Sequence, residues 1–154
     1  MRNYRTQMEA ARKGIITPEM KLVAAKEFRT DEEIRELVAK GQVVICANKL
    51  HTCIDPNGIG SMLRTKINVN LGVSRDCNDY DIELQKVMSA IDLGAEAIMD
   101  LSSHGNTQPF RKYLVEKCPA MIGTVPVYDS VIHYQRVLAT LTAKDFIDVI
   151  RLHA

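Results

Sequence analysis

The chain has 154 residues, 46% of them apolar and 25% charged, with a net charge of +1. That is enough for a domain with a real core, and too balanced in charge for a nucleic-acid surface or a solvating tail. No apolar run approaches the roughly 20 residues that span a bilayer, so the composition predicts a cytoplasmic protein with neither membrane nor nucleic acid as partner.

Residues 1–41 read as a helical segment. In TPEMKLVAAKEF, Thr17 is placed to cap a helix that Pro18 opens. In TDEEIRELVAKG, Thr30 and Glu33 have capping-box spacing and Gly41 marks the end. Both helices have modest apolar faces, so they predict a layer leaning on something larger.

Residues 42–154 change texture. VVICAN (43–48) is an apolar run of strand length, and HTCIDPNGIGSMLRT reads as a loop. KINVNL (66–71) alternates as a strand, with Ile67, Val69 and Leu71 toward helices and Lys66, Asn68 and Asn70 opposite. DYDIELQKVMSAIDLG is an amphipathic helix with Leu84, Val87, Met88 and Ile91 on one face and Gly94 at its end. Then come a strand in AEAIMDLS, a helix in TQPFRKYLVEKC that Thr107 can cap, a strand in GTVPVYDS, and helices in VIHYQRVLATL and TAKDFIDVIRLHA. Alternation at this spacing calls for a parallel sheet with right-handed crossovers. Asn70, Met99 and Tyr128 fall near the ends of three successive strands, each 29 residues from the next. The period suits a (β/α)8 barrel or a doubly wound open sheet, and no GxGxxG follows a strand to favour the dinucleotide version of the latter.

The asparagines bear on that choice. In an open sheet a central strand meets helices on both faces and both should be apolar. In a barrel one face looks inward, where the C-terminal strand ends form the floor of the ligand site. Asn68 and Asn70 therefore point into a barrel mouth, or else they bond each other, neighbouring backbone or buried water. Asp100 shares a face with Ser102 and is expected to pair with Lys66, since a buried carboxylate is costly alone.

The four cysteines, Cys46, Cys53, Cys77 and Cys118, include no CxxC pair and no iron–sulfur triplet. Cys46, His51 and Cys53 leave a zinc module open, against the plainer reading of reduced thiols. No residue reads as a proton-transfer catalyst, and no metal or cofactor is expected on this chain by itself.

QMEAARKGIITPEM, ANKLH, KINVNLG, AIMDLS and GTVPVY, in that order and spacing, resemble the phosphomethylpyrimidine synthases, radical S-adenosylmethionine enzymes that make the thiamine pyrimidine. The 5-hydroxybenzimidazole synthases of anaerobic cobalamin biosynthesis share these motifs. The resemblance, from residue 7 to 154, implies a homo-oligomer built on a small N-terminal domain and a (β/α)8 barrel. It implies a [4Fe-4S] cluster, S-adenosylmethionine and a divalent metal in the full-length enzyme. It also implies that 5-aminoimidazole ribotide is held by Asn70, Met99 and Tyr128; Asn68, Asp100 and His51 are candidates for a supporting place behind them. CANKLH and DLSSHGNT depart from the commoner PANINH and DLSTGG, leaving the pyrimidine and benzimidazole products both open. The family is more than twice this length, so the chain reads as an N-terminal portion carrying the first three βα units and lacking the cluster cysteines. The alternative is a non-catalytic ligand-binding or partner chain.

Overall fold

A computed structural model describes residues 3–154. The chain divides into two compact units, residues 1–66 and 67–154.

The first unit holds three helices, α1 (Gln7–Arg12), α2 (Pro18–Lys26) and α3 (Asp31–Ala39), and two strands, β1 (Val43–Cys46) and β2 (Asn57–Gly60). Each helix begins at a threonine whose hydroxyl accepts a backbone N–H: Thr6 from Glu9, Thr17 from Met20, Thr30 from Glu33. Such a cap is worth about 1 kcal/mol. The Thr30–Glu33 capping box is present. Ala10 and Ala11, fully buried, let α1 approach closely, and Met20, Val23, Ile34, Val38, Val43 and Ile45 complete the core.

The compact-unit boundary at residue 66 lies beyond the change of texture that the sequence shows at residue 42. β1 pairs antiparallel with β2, Val43 opposite Gly60, and does not join the parallel sheet. The segment taken as a loop supplies the partner strand, which its Pro and Gly content masked. The unit then ends on a buried ion pair between Glu27 and Lys66, whose side chains are 2% and 5% exposed. The Arg64 N–H also donates to Glu27, at 2.7 Å. Burial pushes the Glu27 carboxyl up, but the Lys66 hydrogen bond and the Arg64 N–H outweigh it and leave it below its usual value. Lys66 is thus not the partner of Asp100. Its ammonium is taken by a carboxylate 39 residues earlier.

The second unit alternates: β3 (Asn68–Leu71), α4 (Tyr80–Asp92), β4 (Ala97–Asp100), α5 (Thr107–Lys117), β5 (Met121–Thr124), α6 (Pro126–Tyr134), a short 3-10 turn, and α7 (Ala143–His153). The strands are parallel in the order β3-β4-β5. This confirms the expected mixed α/β architecture with a parallel sheet, and the three strands do not close on themselves. Val69, Leu71, Ile98 and Ile122 pack with Val87, Ala90, Phe110 and Leu114 of α4 and α5, so one sheet face is helix-covered.

Two local expectations change. GTVPVYDS is strand only to Thr124, and helix begins at Pro126. Proline suits the first helical position, where its missing N–H costs nothing, and the apolar alternation of TVPVY hid that start. Gln135 then adopts a left-handed conformation, φ 50°, and ends α6 well before the helix read through to residue 141. Ile67 looks toward α4 as expected but stays 58% exposed, lining an open groove beside Val69, Ile82 and Leu93. Met88, placed on the buried face of α4, is also exposed.

Candidate functional site

Cross-strand register decides which side chains share a face. Asn70 pairs with Met99, and Met99 with Gly123. One row up, Leu71 pairs with Asp100, and Asp100 with Thr124. Side chains alternate along a strand, so Asn68, Asn70, Met99 and Gly123 occupy the face opposite the helix-covered one.

That open face is polar at β3 and soft at β4. The Asn68 side-chain amide donates to the Asn70 carbonyl oxygen at 2.9 Å, and both residues are exposed. The asparagines therefore do bond each other, one of the two readings the sequence left open. The bond also sets their polarity. With its Oδ1 engaged, Asn70 has its NH2 left to donate, while Asn68 has its Oδ1 left to accept. The Met99 thioether lies over Gly123, where a β-carbon would sit 2.8 Å from its sulfur.

The loops leaving the C-terminal strand ends extend this floor. Leu101 N–H donates to Leu71 O at 2.8 Å, Ser103 N–H to Val73 O at 2.9 Å, and Val73 N–H to the Ser102 hydroxyl at 3.2 Å. Asp100, 3% exposed, accepts the Ser102 N–H at 2.9 Å. Gly72 N–H donates to the buried Glu83 carboxylate at 2.8 Å. Asp100 and Glu83 thus brace the lip through backbone N–H groups, with the other Glu83 oxygen paired to Lys86.

Tyr128 is not on a strand. It lies five residues past Gly123, the true register partner of Met99, on the first turn of α6, and is 46% exposed. The equal 29-residue steps therefore join two strand positions to a helix position. His51 lies buried in the first unit, its N–H donating to Asn48 O at 3.1 Å. Burial pushes the nearby Cys46 thiol up, away from thiolate character. Among the described residues, no group of three His, Cys, Asp or Glu side chains is placed to hold a metal.

The feature that the sequence reading missed lies beside Tyr128. Asp129, 7% exposed, accepts a short hydrogen bond from the Thr107 hydroxyl and an ion pair from Arg111 at 3.0 Å. Arg111 also donates to the Thr107 hydroxyl at 2.8 Å. His153 of α7 places Nε2 at 3.0 Å from Asp129 and Nδ1 at 2.9 Å from the Thr124 hydroxyl. Burial raises the Asp129 carboxyl, yet Thr107 and Arg111 outweigh it and leave it below its usual value. For His153, burial lowers the pKa and dominates over the Asp129 hydrogen bond. Thr107, expected as a helix cap, is turned inward instead, and Asn106 precedes α5 without a side-chain cap.

Residues 6–154 match the Radical SAM ThiC family. The chain belongs to that family. Among curated relatives it is 61% identical to the phosphomethylpyrimidine synthase of Alkaliphilus oremlandii over 97% of this chain and 34% of that protein. It is 58% identical to the phosphomethylpyrimidine synthase of Clostridioides difficile, over 99% of this chain and 35% of that protein. The enzyme of the same name from Clostridium botulinum is 56% identical over the same shares. The chain thus spans about a third of the length of these ThiC-family relatives. No helix among its described residues is long and apolar enough to cross a membrane.

Proposed function

We propose that this chain is the part of a phosphomethylpyrimidine synthase that receives 5-aminoimidazole ribotide, in the cytoplasmic synthesis of the thiamine pyrimidine. The observation that carries the reading is the open sheet face. Asn70 and Met99, directly paired across β3 and β4, lie on the face opposite the one that α4 and α5 cover, at the C-terminal strand ends. That is where parallel α/β folds bind ligands. An amide donor on Asn70, an acceptor on Asn68 and a polarizable thioether suit a polar five-membered ring. Tyr128 would add a phenol from the first turn of α6. In this reading β3, β4 and β5 are the first three strands of a (β/α)8 barrel, and the assembled enzyme is a homo-oligomer.

A radical S-adenosylmethionine enzyme draws its chemistry from a [4Fe-4S] cluster and bound S-adenosylmethionine, with a divalent metal also implied here. The cysteines of this chain do not fit such a cluster, since Cys118 is buried, Cys77 is exposed, and no metal-holding group forms among the described residues. The role of these 154 residues is to bind and orient.

The test is NMR titration of the chain with 5-aminoimidazole ribotide. The side-chain amides of Asn68 and Asn70 and the Met99 methyl should shift together. Asn70→Ala should weaken binding by about 1–3 kcal/mol and leave folding stability within about 0.5 kcal/mol, as for an exposed position. Shifts confined to other residues, or an Asn70→Ala chain that binds as tightly, would refute the site.

A further inference from the structure

We infer that Asp129 is a positioning residue: clamped by Arg111, Thr107 and His153, it sets the direction in which Tyr128 presents its phenol. The inference rests on the reading of Tyr128 as a ribotide contact for its consequence, though not for its geometry.

Neighbouring side chains on an α-helix are about 100° apart around the axis. Whatever fixes the rotation of α6 at Asp129 therefore fixes the direction in which the Tyr128 side chain leaves the helix. On the first turn of α6 Asp129 points inward at 7% exposure and Tyr128 outward at 46%. Ser130, fully buried, and the packing of α6 on α7 hold the helix in place, but neither ties its first turn by a side-chain hydrogen bond to another element. Val125 gives no side-chain cap, and the Ser130 hydroxyl only returns to Pro126 O, within the same helix.

The clamp is built for direction. The Asp129 carboxylate can only accept, so His153 Nε2 carries the proton it donates, and Nδ1 accepts from the Thr124 hydroxyl. One Asp129 oxygen takes Thr107, and the other takes Arg111 and His153. Three elements, α5, α6 and α7, meet at this carboxylate, and His153 ties in β5 through the Thr124 hydroxyl. A buried ionic cluster is a poor source of net stability, because apolar residues of the same volume serve as well or better. What it supplies is a single allowed arrangement, since rotating α6 would leave a buried Arg and a buried Asp unpaired.

The experiment labels the five tyrosines of the chain with fluorotyrosine and follows them by fluorine NMR, with Tyr128→Phe assigning the Tyr128 line. Asp129→Asn and Arg111→Met are expected to move and broaden the Tyr128 line while Tyr4 stays in place and circular dichroism is retained. Arg111→Lys, which keeps the charge, should return the line part of the way. Ribotide affinity should fall about tenfold in Asp129→Asn. A Tyr128 line unmoved in every folded variant overturns the proposal. So does loss of folding in Asp129→Asn, Arg111→Met and His153→Gln alike, because the cluster would then hold the fold and not aim a side chain. If Tyr128→Phe keeps full ribotide affinity while Asp129→Asn still moves the ring, the ligand reading of Tyr128 fails and the positioning stands.

Discussion

Replacing Gly72 by alanine tests how tightly the lip of the candidate site is closed. Gly72 has φ +136°, and a β-carbon there would lie 2.5 Å from the Ser102 nitrogen and 2.8 Å from the Leu101 carbonyl carbon. Both atoms are backbone, so no rotamer change relieves the overlap; the loops after β3 and β4 must separate. Strain at such a φ costs about 1–3 kcal/mol, and overpacking of this kind about 1–3 kcal/mol more. A total of roughly 2–6 kcal/mol is a large share of a small domain's stability. Gly94 is the control, with φ +89° and nothing within 4 Å of its added β-carbon. Gly94→Ala should cost only the backbone strain, about 1–3 kcal/mol. Urea unfolding of both variants reads the difference directly. If Gly72→Ala costs no more than Gly94→Ala, the two loops are not in the contact described, and the lip is not a rigid floor.

Three further outcomes follow from the packing. Ile98→Ala, at a fully buried position under α4 and α5, should cost about 2–5 kcal/mol in urea unfolding, whereas Ile67→Ala, at a 58% exposed one, should cost under about 1 kcal/mol. Lys66→Met should destabilise the chain by about 3–5 kcal/mol by stranding the buried Glu27 carboxylate, and Lys66→Met with Glu27→Leu should recover most of that loss, read as melting temperature. His153, whose pKa lies below the usual 6.5, should contribute stability that is complete above that value and shrinks as the pH falls below it, because the unfolded chain then binds the proton first. His153→Gln should flatten the pH dependence of the melting temperature in that window, and an unchanged slope would refute the buried neutral imidazole.

Local signals served the sequence reading well where local physics decides. The caps at Thr17 and Thr30, the Thr30 capping box, and the alternation of β3 with α4 and β4 with α5 appear in the structure, whereas the cap expected at Thr107 does not. Pairing across long separations was not readable. Nothing near Lys66 announces Glu27, and Arg111 in FRKYL looks like any solvated helix charge until Asp129 and His153 arrive from other elements. TVPVY misled because an alternating apolar run fits a strand as well as the start of a helix whose first residue is proline. The open face was legible in part: the alternation of Asn68 and Asn70 put them together, but only register could reveal that Gly123, not Tyr128, sits beside Met99.

Gly123 and Met99 constrain each other's inheritance. Any side chain at 123 would meet the far end of the methionine, its methyl carbon at 2.7 Å and sulfur at 2.8 Å, and that flexible end could swing aside without disturbing the backbone. Drift at 123 would therefore be nearly silent in folding and abundance while carrying the thioether off the sheet face. A lineage screened only for keeping the protein intact would let this glycine go; one that depends on the shape of the face would hold it, or change 99 in step with it.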